Sequence, residues 1–240
     1  NAGRQEEAER RLSEVLRQNP RSAQGLILQG KMALIRRNGK DAVQAFRTVL
    51  RDQPELAHVQ YLLGQAYLTT GDSSLARESF ERAVALQPDL VDANVALATM
   101  ESRSGQPQSA RGRLTAILNA HPDHRQAMEV LFGLDLAAGD WSHAASMLSR
   151  LRQVEGESAA IFMAEGKLHE SRKDVARAIA AFERAAAMAV DAQGPLVALV
   201  QLDLQQKQPE RARLRLESIL GPYPNHPYAH GLMGEVLLLL

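Results

Sequence analysis

Seven alanines recur at a single spacing. Ala8, Ala42, Ala76, Ala110, Ala144, Ala178 and Ala212 follow one another at a constant interval without an exception. Four residues after each stands Leu12, Phe46, Phe80, Leu114, Leu148, Phe182 or Leu216. Three residues further on stands Val15, Val49, Ala83, Ile117, Leu151, Ala185 or Ile219. Offsets of four and three put the three columns on one helical face. The period therefore predicts one amphipathic helix in every repeat, with alanine where that helix comes closest to its neighbours.

A second helix precedes each of these. Its register is marked by a small-residue column, Gly30, Gly64, Ala98, Gly166 and Gly234, from which Phe132 and Val200 depart, with Gly133 adjacent to the first departure. Leu63, Leu97, Leu131, Leu199 and Met233 supply bulk beside it. A small residue there lets the two helices of a pair approach closely. Turn residues separate them: Asn38-Gly39, Gly71-Asp72, Gly105-Gln106, Gly139-Asp140 and Lys173-Asp174. Pro20, Pro54, Pro88, Pro122 and Pro224 close the period, with Gly156 and Val190 in the same register. Proline stops each pair because it cannot continue a helix.

A helix–turn–helix period of this length, about 34 residues, is a tetratricopeptide signature. On the small-residue column, Tyr67, the alanines, the Phe/Leu column and the prolines, the whole chain closely resembles the tetratricopeptide-repeat family. The resemblance implies an all-α fold, a right-handed superhelical solenoid of stacked antiparallel hairpins. Counted on the period, it comprises a half-repeat (1–22), six full repeats (23–56, 57–90, 91–124, 125–158, 159–192, 193–226) and the first helix of a further one (227–240). That last helix, "HPYAHGLMGEVLLLL", is expected to leave an apolar patch, because each hairpin hides its apolar face only against a neighbour. End-to-end pairing of two copies through residues 227–240 would cover it. The chain reads as a piece of something longer, so any targeting signal or anchor would lie outside it.

Composition narrows the function. The 28 basic and 28 acidic side chains balance, so no global field steers the chain to nucleic acid or an anionic membrane. Hydrophobic residues make up 45% and aromatics only 4%, a composition for a core of Ala, Leu, Val and Ile. Cysteine is absent, which excludes disulfides, thiolate metal sites and a cysteine nucleophile. No signal peptide or membrane-spanning run is present. No Ser–His–Asp signature, phosphate-cradling glycine loop or HExxH motif occurs, so neither an enzyme nor a cofactor is expected. "HPDH" (His121 to His124) offers two imidazoles and a carboxylate, but it lies in an inter-repeat loop and lacks a further ligand, so no metal site is expected. His169, four residues after Glu165, occupies the column of Tyr67 and reads as a packed histidine. His226 and His230 read as solvent-exposed, and Trp141 as packing on the preceding repeat rather than as a stacking platform.

The resemblance implies that the first helix of each pair lines the concave face. Helical geometry then selects an inward stripe of Ile27, Tyr61, Val95, Glu129, Met163 and Val197. A parallel stripe holds Lys31, Gln65, Thr99, Gly133, Lys167 and Gln201, flanked by His58, Asp92 and Arg103. An apolar floor with scattered polar groups suits a peptide or helix with hydrophobic anchors, although the same stripe could serve only to pack neighbouring helices. Co-chaperone members of the family hold carboxylates with lysines and asparagines on these faces. Here the apolar stripe has no lysine and Asn94 is nearly the only asparagine, which argues against that use. Three readings compete: a non-catalytic protein-interaction scaffold, a spacer or self-assembly module acting through its ends and convex face, and a carbohydrate binder using Tyr61. Repeats ending in "LQPD" and "AHPD" are similar in style to bacterial envelope scaffolds for secretion, pilus assembly or exopolysaccharide export. That likeness favours a partner protein and a periplasmic or envelope address over a cytoplasmic one.

Overall fold

A computed structural model describes residues 2–189 and 192–240, without the side chains of residues 2–6, 8 and 9. Val190 and the side chain of Ala8 thus lie outside the described residues. Fourteen helices follow one another, with no strand among the described residues. They group into two compact units. Residues 1–120 hold α1 (Ala2–Gln18), α2 (Ala23–Ile35), α3 (Gly39–Asp52), α4 (Ala57–Thr70), α5 (Ser73–Leu86), α6 (Val91–Arg103) and α7 (Pro107–Ala120). Residues 121–240 hold α8 (Arg125–Ala138), α9 (Trp141–Glu155), α10 (Ala159–Ser171), α11 (Val175–Met188), α12 (Gln193–Gln205), α13 (Pro209–Leu220) and α14 (Ala229–Leu237). The first helices of the hairpins, α2, α4, α6, α8, α10 and α12, begin at the same constant interval as the alanines.

The alanine column forms the tightest layer. Ala42, Ala76, Ala110, Ala144, Ala178 and Ala212 have no exposed surface. One turn later, Phe46, Phe80 and Phe182 are equally enclosed, and each ring lies under a glycine of the preceding helix. A Cβ on Gly30 would sit 2.5 Å from Phe46 Cε1, and Gly64 and Gly166 have the same relation to Phe80 and Phe182. Within this column glycine is therefore demanded only opposite phenylalanine. Opposite Leu114, Leu148 and Leu216, at the matching places on the preceding helices, stand Ala98, Phe132 and Val200, all buried. The two departures from the small column are thus the larger half of a volume exchange. Gly133 does not substitute for Phe132: it is exposed, with nothing within 4 Å of where its Cβ would be.

The turns between paired helices share a left-handed residue at one register. Arg37, Gly71, Gly105, Gly139, Lys173 and Lys207 have φ of 57°, 87°, 74°, 71°, 61° and 57°. In the first hairpin the turn residue is thus Arg37, not Gly39. Gly39 opens α3, and a Cβ there would meet Thr70 Cγ2 at 2.8 Å, so its glycine serves close approach to α4. The next residue caps the second helix: the Asn38, Asp140 and Asp174 side chains accept from the Asp41, His143 and Arg177 amides.

The first helices have their own caps. Ser22 and Ser158 accept from the Gly25 and Ile161 amides, and His124 Nδ1 accepts from the Ala127 amide at 3.2 Å. His226 repeats the device at α14, its Nδ1 accepting from the Tyr228 and Ala229 amides at 3.3 Å. His226 is 4% exposed, which corrects the expectation of a solvent histidine: the open amides at a helix start draw the ring inward. His230 is exposed, as is Trp141 at the first residue of α9, which is 44% open. Leu237 to Leu240 expose apolar surface, Leu238 to 88%. Among the described residues, no helix is long and apolar enough to cross a membrane.

Candidate functional site

In the first unit, the candidate residues Lys31, His58, Tyr61, Gln65 and Asp92 share one electrostatic neighbourhood. Gln65 Nε2 donates to the Tyr61 hydroxyl at 2.5 Å, four residues apart on α4. The Tyr61 ring lies 6.1 Å from that of His58 and 5.8 Å from that of Phe80. Partial burial holds the His58 imidazole below its ordinary value, and the Lys31 charge pushes the same way while Asp92 opposes it. Burial raises the Tyr61 phenol, with Asp92 adding to the rise and Gln65 opposing it. Ile27 is half-buried against the core, and Thr99 is half-buried with its hydroxyl donating to the Val95 carbonyl at 2.8 Å. Arg103 is exposed in the last turn of α6. Val95 is 0% exposed. It belongs to the packing layer and offers no surface to a ligand, contrary to its place in the inward stripe.

In the second unit, two hollows flank α10 and share Met163 and Lys167. One, of about 300 Å³, is lined from α8, α9 and α10 by Glu129, Phe132, Leu151, Glu155, Ala160 and Ile161. The other, of about 360 Å³, is lined from α10, α11 and α12 by Glu170, Phe182, Gln193, Gly194, Val197 and Gln201. The structure thus gathers Glu129, Met163, Lys167, Val197 and Gln201, and leaves Gly133 outside. Sequence reasoning missed Ala160 and Gly194. They stand in the register of His58 and Asp92, and their small size opens the floor beside Met163. Glu129 and Glu155 are both held by Arg125 Nε, at 2.8 Å and 2.7 Å.

The column of Tyr67 and His169 holds three further residues that sequence reasoning missed. Tyr67, Glu101, Asp135, His169 and Asp203 share one register of the repeat, in the last turns of the first helices. Glu101, Asp135 and Asp203 are buried. Each acid takes a partner eight or twelve residues later on the second helix: Arg113 at 3.0 Å from Glu101, His143 at 2.5 Å from Asp135, and Arg211 and Arg215 at 3.3 Å and 2.9 Å from Asp203. Arg113 also donates to Asn94 Oδ1 at 2.8 Å. His169, expected to be packed, has a mostly buried side chain 3.8 Å from Asp174. Asp135, Asp140 and His143 bring three ligand atoms within 4.8 Å of one another. Two of them form the His143–Asp135 contact and Asp140 caps α9, so the trio is accounted for by the repeat's internal pairing. In "HPDH", His124 is committed to its cap.

The model of the cytochrome c-type biogenesis protein H tetratricopeptide domain matches residues 44–162. Two general tetratricopeptide-repeat models match residues 171–236 and residues 1–54 with 134–195. The chain belongs to the tetratricopeptide-repeat family, whose members are generally non-catalytic scaffolds for protein–protein interaction. No curated protein sequence matches it significantly. Among solved structures it is similar to a tetratricopeptide repeat protein from Parabacteroides merdae (TM-score 0.77, 16% identity, 97% of this chain and 90% of that one). It is similar to the Cut9–Hcn1 heterotetramer of the APC/C (TM-score 0.74, 16% identity, 94% of this chain), where it spans 45% of the other chain. It is also similar to PilW, a widely conserved type IV pilus biogenesis factor (TM-score 0.71, 18% identity, 81% of this chain and 90% of that one).

Proposed function

We propose that this chain is an adaptor that seats an extended or helical segment of a partner protein on the face made by its first helices. The observation that carries this reading is the pair of hollows meeting at Met163 and Lys167. Each has an apolar floor and a few polar groups at its rim, and each is of a volume that receives anchoring side chains. The biogenesis-protein model matched over residues 44–162 and the likeness to a pilus biogenesis factor support work within a bacterial secretion or export assembly. The test is capture from a bacterial envelope extract by the chain and by a Tyr61→Ala, Met163→Ala variant. A protein held by the first and lost by the second supports the adaptor. Identical capture by both rejects the face.

A second reading rests on the exposed leucines 237–240. Two copies meeting there would hide that surface, and the chain would act as a self-assembling spacer. Sedimentation across a wide concentration range decides it, since a chain that stays monomeric throughout has no such contact.

A further inference from the structure

The hairpin α4–α5 lacks the internal contact between an acid and a basic side chain that three later hairpins possess. Eight and twelve residues after Tyr67 stand Leu75 and Ser79. At those places the later hairpins put His143 or Arg211, and Arg113 or Arg215. Gln60 is the counterpart of Asn94, which in α6–α7 receives a bond from Arg113. Ser79 cannot reach as arginine does, and its hydroxyl already donates to the Leu75 carbonyl at 2.8 Å. The result is a hollow of about 520 Å³ lined by Gln60, Leu63, Tyr67, Leu75 and Ser79, with Arg47, Glu78 and Arg82 also on its wall.

Arg47 comes from α3 and Arg82 from α5. Both are exposed, and among the described residues neither guanidinium has an ion pair or hydrogen bond, nor does the Tyr67 hydroxyl. Glu78, the one acid on the wall, has none either. The ionised lining therefore sums to one positive charge, two arginines against one glutamate. Donors outnumber acceptors: two guanidinium forks and a phenol face one carboxylate and the Gln60 amide. Leu75 is a large apolar side chain left partly open beside them. An Arg fork recognises a planar carboxylate with two parallel bonds.

We propose that this hollow is a second docking site, separate from the face of the first helices, and that it takes an acidic segment of a protein partner. A glutamate or aspartate carboxylate is held between Arg47 and Arg82 with the Tyr67 hydroxyl as a further donor. An apolar neighbour in the segment covers Leu75. The partner thereby supplies the carboxylate that Glu101, Asp135 and Asp203 supply within the three later hairpins.

The test uses the full chain and three probes, followed by the Arg Nε–Hε resonances. The probes are a capped peptide Gly-Leu-Glu-Leu-Gly, its Gln counterpart, and inorganic phosphate. The expected result is that the Glu peptide shifts the Arg47 and Arg82 signals and binds about tenfold tighter than the Gln peptide. That preference vanishes in the Arg47→Gln, Arg82→Gln variant, whose thermal unfolding is unchanged because both side chains are exposed. Equal binding of the two peptides, a preference that survives in the variant, no binding by the Glu peptide, or phosphate binding as tightly as the Glu peptide each overturns the site. The Gly-Leu-Glu-Leu-Gly experiment leaves the Met163 face untouched, so its failure is separable from failure of the adaptor reading.

Discussion

Arg215 Nε lies 2.9 Å from Asp203 Oδ2, and Asp203 is 1% exposed. The two residues stand twelve positions apart, on α12 and α13, so one ion pair ties both helices of a hairpin from inside. Arg215 also reaches Glu183 on α11 at 3.0 Å. Burial opposes the charged form of Arg215, while its bonds to Asp203 and Glu183 outweigh this and raise its affinity for the proton. A buried carboxylate that loses its principal cation keeps its desolvation cost without the compensation. Arg215→Leu is expected to destabilise the chain by about 3 kcal/mol, read as a shifted urea midpoint. Asp203→Leu with Arg215→Leu should recover most of that loss, because two apolar side chains leave no charge to satisfy. A double variant as unstable as the single one would mean the pair acts by shape, not charge.

The glycine–phenylalanine exchange gives a second test. A methyl at Gly64 must displace the Phe80 ring from a position with no free surface. Gly64→Ala is expected to cost about 1–3 kcal/mol, although alanine is the better helix former. Adding Phe80→Leu imitates the Ala98–Leu114 hairpin and should restore much of the stability. The same alanine at Gly133 or Gly234, where nothing lies within 4 Å, should stabilise. A thermal-melting comparison of these variants separates packing from propensity.

These pairings show what the sequence made legible and what it hid. The alanine column was readable because nothing but a small residue fits where helices nearly touch. The exceptions at Phe132 and Val200 were not, because their explanation lies on another helix, at Leu148 and Leu216. In the column of Tyr67 and His169, the acids Glu101, Asp135 and Asp203 were missed for a different reason. Polar residues at helix ends read as solvated, and only the fold shows that Glu101, Asp135 and Asp203 each face a basic side chain eight or twelve residues on. The hollows beside Met163 were half legible. The Met163, Val197, Lys167 and Gln201 positions follow from helical geometry. Ala160 and Gly194 do not, because a small side chain announces space only when its neighbours are placed. Val95 failed for the same reason in reverse, since its inward direction said nothing of what covers it.

His58 provides a pH-dependent observable. Its folded value lies below the ordinary one, so the unfolded chain binds the proton more tightly. The stability His58 contributes is therefore complete above about pH 6.5 and is lost as pH falls through that value toward the lower folded one. Lys31→Gln removes a repelling cation and should raise the His58 value. Asp92→Asn removes an attracting anion and should lower it further. Titration of the His58 ring resonances measures both, and a Lys31→Gln variant with a lowered value would refute the neighbourhood described above.

The left-handed turn column yields the last prediction. Gly71, Gly105 and Gly139 adopt positive φ without steric cost, whereas Arg37, Lys173 and Lys207 adopt it with a Cβ that crowds the backbone. Nothing in the next residue relieves this, since Asn38 and Asp174 cap the following helices as Asp140 does after a glycine. Each replacement, Arg37→Gly, Lys173→Gly or Lys207→Gly, is expected to stabilise its hairpin by about 1 kcal/mol. Glycine also loosens the unfolded chain, which subtracts part of the gain. The three turns lie in different hairpins and share no partner, so their effects should add. The reverse change at Gly139, to lysine, should destabilise by a similar amount. If urea unfolding finds Lys173→Gly and Lys207→Gly neutral while Gly139→Lys is costly, the lysine side chains must contribute contacts of their own to the turns.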